Sequence, residues 1–251
     1  QLSYGRFERQ NVLPPRFCTN VGVSTSARLV ARKSRLTDFN YLRLVQIGSA
    51  TEAWVLRVDR FRDAIIKALR MDREYVAHNA PFDCLAVARH LGVVLEDLMP
   101  RVSDTRILGH LLDPRTKEEG GGGLRLKDMC ASYVDKAAPD MEHDLTTVFN
   151  SMRLTKKTGW ARIPINHRTY VTYAGLDPIY ARRLYTPLST MVYQAGLGNL
   201  SAFEHELQYL VATLQRIPTQ SEGHALVVEI QPDTASGLTI LRRDRAGTRG
   251  T

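Results

Sequence analysis

The sequence predicts an α/β protein: a mixed sheet flanked by helices, with a helical C-terminal half. Three observations carry this. Two runs that alternate apolar and polar residues, Tyr41–Ile47 and Ala53–Val58, read as neighbouring strands. Two short β runs, Tyr75–Ala77 and Val102–Asp104, each hand over directly to a helical pattern. From Leu124 to Leu214 the apolar residues recur only at helical spacing. The chain has 251 residues, 43% hydrophobic and 24% charged, which suffices for one sizeable core and excludes wholesale disorder or a collagen-like fibre.

The elements follow in order. Residues 1–17 are polar, contain Pro14-Pro15 and read as a lead-in. Val21-Gly-Val23 is a short strand, and residues 27–40 a long basic loop. The run Tyr41–Ile47 is stopped by Gly48-Ser49, so it and Ala53–Val58 form a hairpin. Phe61, Ala64, Ile65 and Leu69 mark a helix. The strand Tyr75–Ala77 runs into His78-Asn-Ala-Pro-Phe-Asp83, and an amphipathic helix then continues to Gly92. After Val102–Asp104 comes a helix through Leu112, stopped by Asp113-Pro114. Glu118–Gly123 is a glycine-rich tether. Helices restart at Leu124, around Leu145–Phe149, over His167–Leu184 and over Leu200–Leu214. Past Ile217-Pro218 the composition shifts to Thr, Ser, Gly, Pro and Arg, with a strand at Ala225–Ile230 and a flexible basic end.

Charge is unevenly placed. The net is +8, and residues 1–70 alone hold 13 basic and 5 acidic residues, the whole excess. Arg28, Arg32, Lys33 and Arg35 cluster there. A nucleic acid is one partner that rewards clustered cations, through counterion release; a solvated basic loop is the plain alternative. Three cysteines, Cys18, Cys84 and Cys130, are odd in number and far apart, which argues against a disulfide framework and fits a reduced cytoplasmic setting. Gln1–Asn11 carries no apolar signal core, and the charge-free stretch Leu184–Phe203 is too polar for a membrane span, so no membrane partner is expected.

Two segments carry chemistry. Asp83 falls in the first turn of its helix, where a carboxylate is also favoured simply by the helix dipole. Tyr173 and Asp177, four residues apart on a helix, share one face with their Cβ atoms roughly 5–6 Å apart, a spacing that is usually structural when it stands alone. Taken together, in this order and about 90 residues apart, they resemble two of the motifs of the tyrosine-containing branch of the DEDD 3′–5′ exonucleases. The likeness is to the proofreading domains of bacterial and phage family A DNA polymerases. His78–Asp83 matches the second exonuclease motif and Tyr173–Asp177 the third; Leu42–Gly48, Asp104-Thr-Arg-Ile-Leu, Leu124-Arg-Leu-Lys-Asp and Asp177-Pro-Ile-Tyr support the match. The resemblance covers roughly residues 18–216.

The resemblance implies a ribonuclease H-like fold over residues 18–198, a helix at 199–216 like the entry to a polymerase domain, and a divergent tail at 217–251. It implies phosphodiester hydrolysis at DNA 3′ ends or on single-stranded DNA by two Mg2+ or Mn2+ ions, held by carboxylates that hard cations prefer. By position Asp83 and Asp177 are metal carboxylates and Tyr173 orients the attacking water. Asn79 and Phe82 lie near the terminal nucleotide, and Arg28, Arg32, Lys33 and Arg35 beside the expected site edge. No polymerase sequence follows Arg216, which makes a polymerase a partner to look for.

The sequence departs from the family at the first motif. The family has Asp-x-Glu at the end of the first strand; after Val21–Val23 this chain has Ser24-Thr-Ser26. Two carboxylates are lost from a site meant to hold about +4 of metal charge, and losing each transition-state contact costs about 10²–10³ in rate. Three readings stay open: an exonuclease tolerant of Ser24 and Ser26, a catalytically inactive nucleic-acid-binding module of the same fold, and a ribonuclease D-like RNA exonuclease. Plain readings cover other residues. His78, His90, His110 and His167 are expected as surface or capping groups, and Trp54 and Trp160 as core. Arg125 and Lys127 are expected to touch a DNA backbone or be solvated.

Overall fold

The structure, a computed structural model, describes residues 19–22, 42–216, 226–233 and 237–244. Strand β1 is Thr19–Gly22; β2 (Leu44–Gly48) and β3 (Ala53–Arg57) form the expected hairpin. The turn is tight: the Ser49 hydroxyl oxygen accepts from the N–H groups of Thr51 and Glu52 at 3.2 and 3.3 Å. A Cβ on Gly48 would meet the Glu52 carbonyl oxygen at 2.7 Å, so glycine is required there. There follow α1 (Val58–Arg70), β4 (Tyr75–Ala77), α2 (Ala80–Leu91), a single turn α3 (Leu95–Leu98), a 3-10 turn (Met99–Arg101), β5 (Val102–Asp104) and α4 (Thr105–Leu112). The helical half comprises α5 (Leu126–Tyr133), α6 (Asp140–Ser151), α7 (Lys156–Arg162), α8 (Arg168–Gln194) and α9 (Gly198–Arg216).

The five strands pair in the order β3-β2-β1-β4-β5. β1 lies antiparallel to β2 and parallel to β4, and β5 is parallel to β4. This is the mixed α/β arrangement expected. Helices cover both faces because side chains of a strand alternate. On β2, Val45 and Ile47 enter a core with Ile65 and Leu69 of α1 and Cys84, Val87 and Leu91 of α2. Leu44 joins the other core, with Phe149, Ile163, Tyr170 and Ala174. A third cluster, built on Leu108, Met129, Cys130, Leu184 and Leu188, ties α4 and α5 to α8. Cys84 and Cys130 are buried free thiols.

The structure departs from the sequence-based expectations in several places. The helix expected to end at Leu184 runs on to Gln194, because Leu188 and Val192 bury against the third cluster and Pro187 interrupts only one helical hydrogen bond. The single turn α3 and the short α7 had no periodic signal. Trp54 is 53% exposed on β3 rather than core, since β3 is the edge strand. The strand expected at 225–230 is β6 (Leu226–Asp233), and a second strand, β7 (Gly237–Asp244), pairs with it antiparallel where a flexible end was expected. This hairpin belongs to a separate compact unit, Leu214–Thr251. Among the described residues no helix is long and apolar enough to cross a membrane.

Candidate functional site

Because β1, β4 and β5 are parallel, all three end on one edge of the sheet. β1 ends there at Gly22, β4 leads into His78-Asn79 and α2, and β5 leads into α4. Asp104, the last residue of β5, is fully buried and organises this edge. Its Oδ1 accepts the N–H groups of Asn79 and Arg106, both at 2.8 Å. Its Oδ2 accepts the N–H of Ala80 at 2.8 Å and the side-chain amide of Gln208 at 2.7 Å. The backbone N–H of Asp104 donates to Nε2 of His205 at 2.8 Å. His205 in turn donates from Nδ1 to the Ser201 carbonyl at 2.7 Å, which fixes its tautomer.

These bonds hold Asn79 in the left-handed conformation, φ 68° and ψ 54°, a region asparagine visits more readily than most residues. The turn starts α2 at Ala80, with Asp83 in its first turn. The Asn79 side-chain oxygen accepts from Arg106 Nη1 at 2.9 Å, and Arg106 is exposed at the same edge. Phe82 and Asp83 are half-buried.

His78 is not the surface or capping group expected. Its Nε2–H donates to the Leu124 carbonyl at 3.0 Å, and its Nδ1 faces the Thr105 hydroxyl at 2.9 Å. Burial pulls its pKa below the usual imidazole value, against the raising influence of Asp104. The neutral ring thereby pins the glycine-rich connection onto the end of β4. His167 holds the N-cap position of α8 but makes no side-chain capping bond, and His110 is exposed.

The connection pinned by His78 leads directly to Lys127. Lys127 is not solvated, one of the two expectations for it: its side chain is 5% exposed, and Nζ lies 2.5 Å from Asp177 Oδ1. The ammonium also sits 4.9 Å from the ring centre of Tyr173 and 4.6 Å from that of Tyr180. The Tyr173 ring packs on Trp160, centroids 5.5 Å apart, within an aromatic group that includes Phe149 and Tyr170. Burial pushes the Asp177 carboxyl above its usual pKa, and the Lys127 charge opposes that only in part. Burial likewise pushes the Cys130 thiol up to about 12, so it is an inert core group. Arg125 is exposed and paired with Glu142.

The second and third motifs therefore meet through residues 124–127: His78 binds Leu124, and Lys127 binds Asp177. Helix α8, which carries Tyr173 and Asp177, also packs against β1 and β4. Ser24, Ser26, Arg28, Arg32, Lys33 and Arg35 lie outside the described residues. Sequence reasoning missed the roles of Asp104, Arg106, Lys127 and His205. Asp104-Thr-Arg and Leu-Lys-Asp were visible as motif fragments, but burial and partner came only with the fold.

The described side chains do not make a two-metal site. Asp104 turns inward, its oxygens occupied by four donors. Of the two motif carboxylates on helices, Asp177 is paired with an ammonium. Among the described residues there is no group of three or more His, Cys, Asp and Glu that could hold a metal ion.

Comparison with known proteins gives the setting. Residues 32–193 match the family model for the 3′–5′ exonuclease domain of A-type DNA polymerases. The chain is 31% identical over 179 residues to the DNA polymerase of Mycobacterium phage D29, covering 69% of this chain and 29% of that protein. It is 32% identical over 191 residues to the DNA polymerase of Mycobacterium phage L5, covering 74% of this chain and 31% of that one. The chain thus spans about three tenths of the length of these relatives. Its fold is similar to Brucella melitensis NrnC at a TM-score of 0.56 and 16% identity, over 82% of this chain and 88% of that one. With the sheet order, the Asp83 turn and the Tyr173–Asp177 helix face in place, the chain belongs to the 3′–5′ exonuclease domain family of A-type DNA polymerases.

Proposed function

We propose that this chain takes the 3′ end of a DNA strand at the sheet edge where β1, β4 and β5 end, and that its hydrolytic activity is weak. The observation that supports this reading is the link between the two segments through residues 124–127, where His78 binds Leu124 and Lys127 binds Asp177, with Tyr173 and Asp177 one helical turn apart on α8 and Asp83 in the first turn of α2. Asp83 and Asp177 would hold a divalent cation, and Tyr173 would orient water. Asn79 and Phe82 border the terminal nucleotide, and Arg106 joins Arg28, Arg32, Lys33 and Arg35 as phosphate contacts. A divalent cation supplies Lewis-acid stabilisation of the phosphodiester oxygens when bound. Support for it comes from the family, and from the similarly folded NrnC, which has been solved with Mg2+.

The weakness follows from Ser24 and Ser26, neutral where the family places Asp and Glu. With 5′-labelled single-stranded DNA and Mg2+ or Mn2+, the unmodified chain should shorten the strand slowly or not at all. Ser24→Asp with Ser26→Glu should raise the rate by at least about 10²-fold, and Asp177→Ala should abolish that gain. Brisk shortening by the unmodified chain would sink the proposal of weakness. Loss of shortening with DNA binding kept would leave a module that holds ends. A second reading, an RNA substrate, draws on the NrnC fold, solved with pGG bound. Matched RNA and DNA strands decide it, since only RNA offers the 2′-hydroxyl.

A further inference from the structure

Lys127 is the one lysine whose ammonium is enclosed by the candidate site's own machinery among the described residues. Its side chain is 5% exposed, its nitrogen contacts Asp177 Oδ1 at 2.5 Å, and the rings of Tyr173 and Tyr180 flank it at 4.9 and 4.6 Å. Each of these neighbours favours a cation: a carboxylate by charge, an aromatic face by its quadrupole. The backbone placing the lysine is also held, because Leu124, three residues earlier, is bonded to His78 at the end of β4. The ammonium is built into the edge rather than draped over it.

We propose that Lys127 is a tethered cation for the third-motif carboxylate, and that a divalent ion reaches Asp177 only by displacing it. This rests on reading Asp177 as a metal-facing carboxylate. The pairing supports it: Lys127 already places one positive charge in contact with Asp177 Oδ1, where a divalent ion would have to bind. A resident ammonium holds Asp177 in place without metal. The cost is metal affinity: two cations cannot share one carboxylate oxygen at contact distance without strong repulsion. Tyr173 is tied into the same arrangement, since the ammonium against its ring holds the face of α8 that carries both motif residues. Lys127 is therefore a positioning residue that sets how readily Asp177 accepts metal.

The test is a Mn2+ titration followed by electron paramagnetic resonance, on the full chain and on Lys127→Met, Lys127→Arg and Lys127→Met/Asp177→Asn. Lys127→Met should bind Mn2+ at least tenfold more tightly than the unmodified chain, and its melting temperature should rise with Mn2+. Lys127→Arg, which keeps the charge, should stay within about twofold of the unmodified chain. The double variant should lose the gain. Should Lys127→Met fail to fold, amine labelling of the unmodified chain with mass spectrometry gives an independent readout. Lys127 should be protected without metal and label several-fold faster in saturating Mn2+. Equal Mn2+ affinity in the unmodified chain and Lys127→Met, with both sensitive to Asp177→Asn, overturns the proposal while Asp177 stands as a metal carboxylate. Unchanged labelling when Mn2+ binds overturns it too. Absence of Mn2+ binding in every variant, including one carrying Ser24→Asp and Ser26→Glu, overturns both the tethered cation and the reading of Asp177.

Discussion

Asp104 shows how much a single buried carboxylate can fix. Four donors from three places, the Asn79–Ala80 turn, the start of α4 and Gln208 of α9, converge on its two oxygens. Helix α2, and with it Asp83, is aimed by that convergence. An unmade bond to a buried donor costs about 1–3 kcal/mol, and bonds to a charged acceptor are the stronger kind. Asp104→Ala should therefore lower the stability of unfolding by about 3–5 kcal/mol, read from a denaturant titration. Asp104→Asn, which keeps an acceptor oxygen but brings a second donor group among existing donors, should cost less. If Asp104→Ala melts like the unmodified chain, the network is ornamental. At this scale motif spacing singles out Asp83, Tyr173 and Asp177 as candidates, whereas the surroundings of Lys127 and His78 are not legible in it. A Lys in a Leu-Arg-Leu-Lys string and a His before Asn carry no mark of burial; the partners that enclose them are 50 and 27 to 46 residues distant.

Elements were legible where one face alone had to be satisfied locally. The β2–β3 hairpin, the β4–α2 step and α9 announced themselves by period and by stop residues. The extension of α8 and the short α7 depend on what they touch. α7 exists because Gly159 lets its backbone lie against Phe149: a Cβ there would sit 2.6 Å from the ring. Gly159→Ala should destabilise the protein by roughly 1–3 kcal/mol even though alanine favours helix, because overpacking outweighs propensity. The measurement is a pair of thermal melts. A rise in melting temperature would show that Phe149 can move aside. The contact matters to the site because Phe149, Trp160 and Tyr173 form one aromatic run leading to Lys127.

For the whole molecule, charge decides how it meets a partner. The excess of +8 resides in residues 1–70, and the Arg28–Arg35 cluster follows β1, which ends at the same sheet edge as β4 and β5. If those four cations contact phosphates, replacing Arg28, Arg32, Lys33 and Arg35 by Ala should flatten the dependence of log K on log salt for single-stranded DNA by about 3, at roughly 0.7 per contact. Fluorescence anisotropy at several salt concentrations reads this slope. An unchanged slope would assign the cluster to solvent. The sequence by itself determined the family, the β2–β3 hairpin and the β4–α2 and β5–α4 steps, and it singled out Asp83, Tyr173 and Asp177 as candidates, because these are properties of spacing and local period. Only the tertiary structure decided which charges face one another. The sheet order brings β4, β5 and α8 to one place, and burial there turns Lys127 from a surface cation into the partner of Asp177 and Asp104 into the anchor of α2. A desolvated ammonium must find a carboxylate or a ring, and which one it finds is settled by the packing of distant segments.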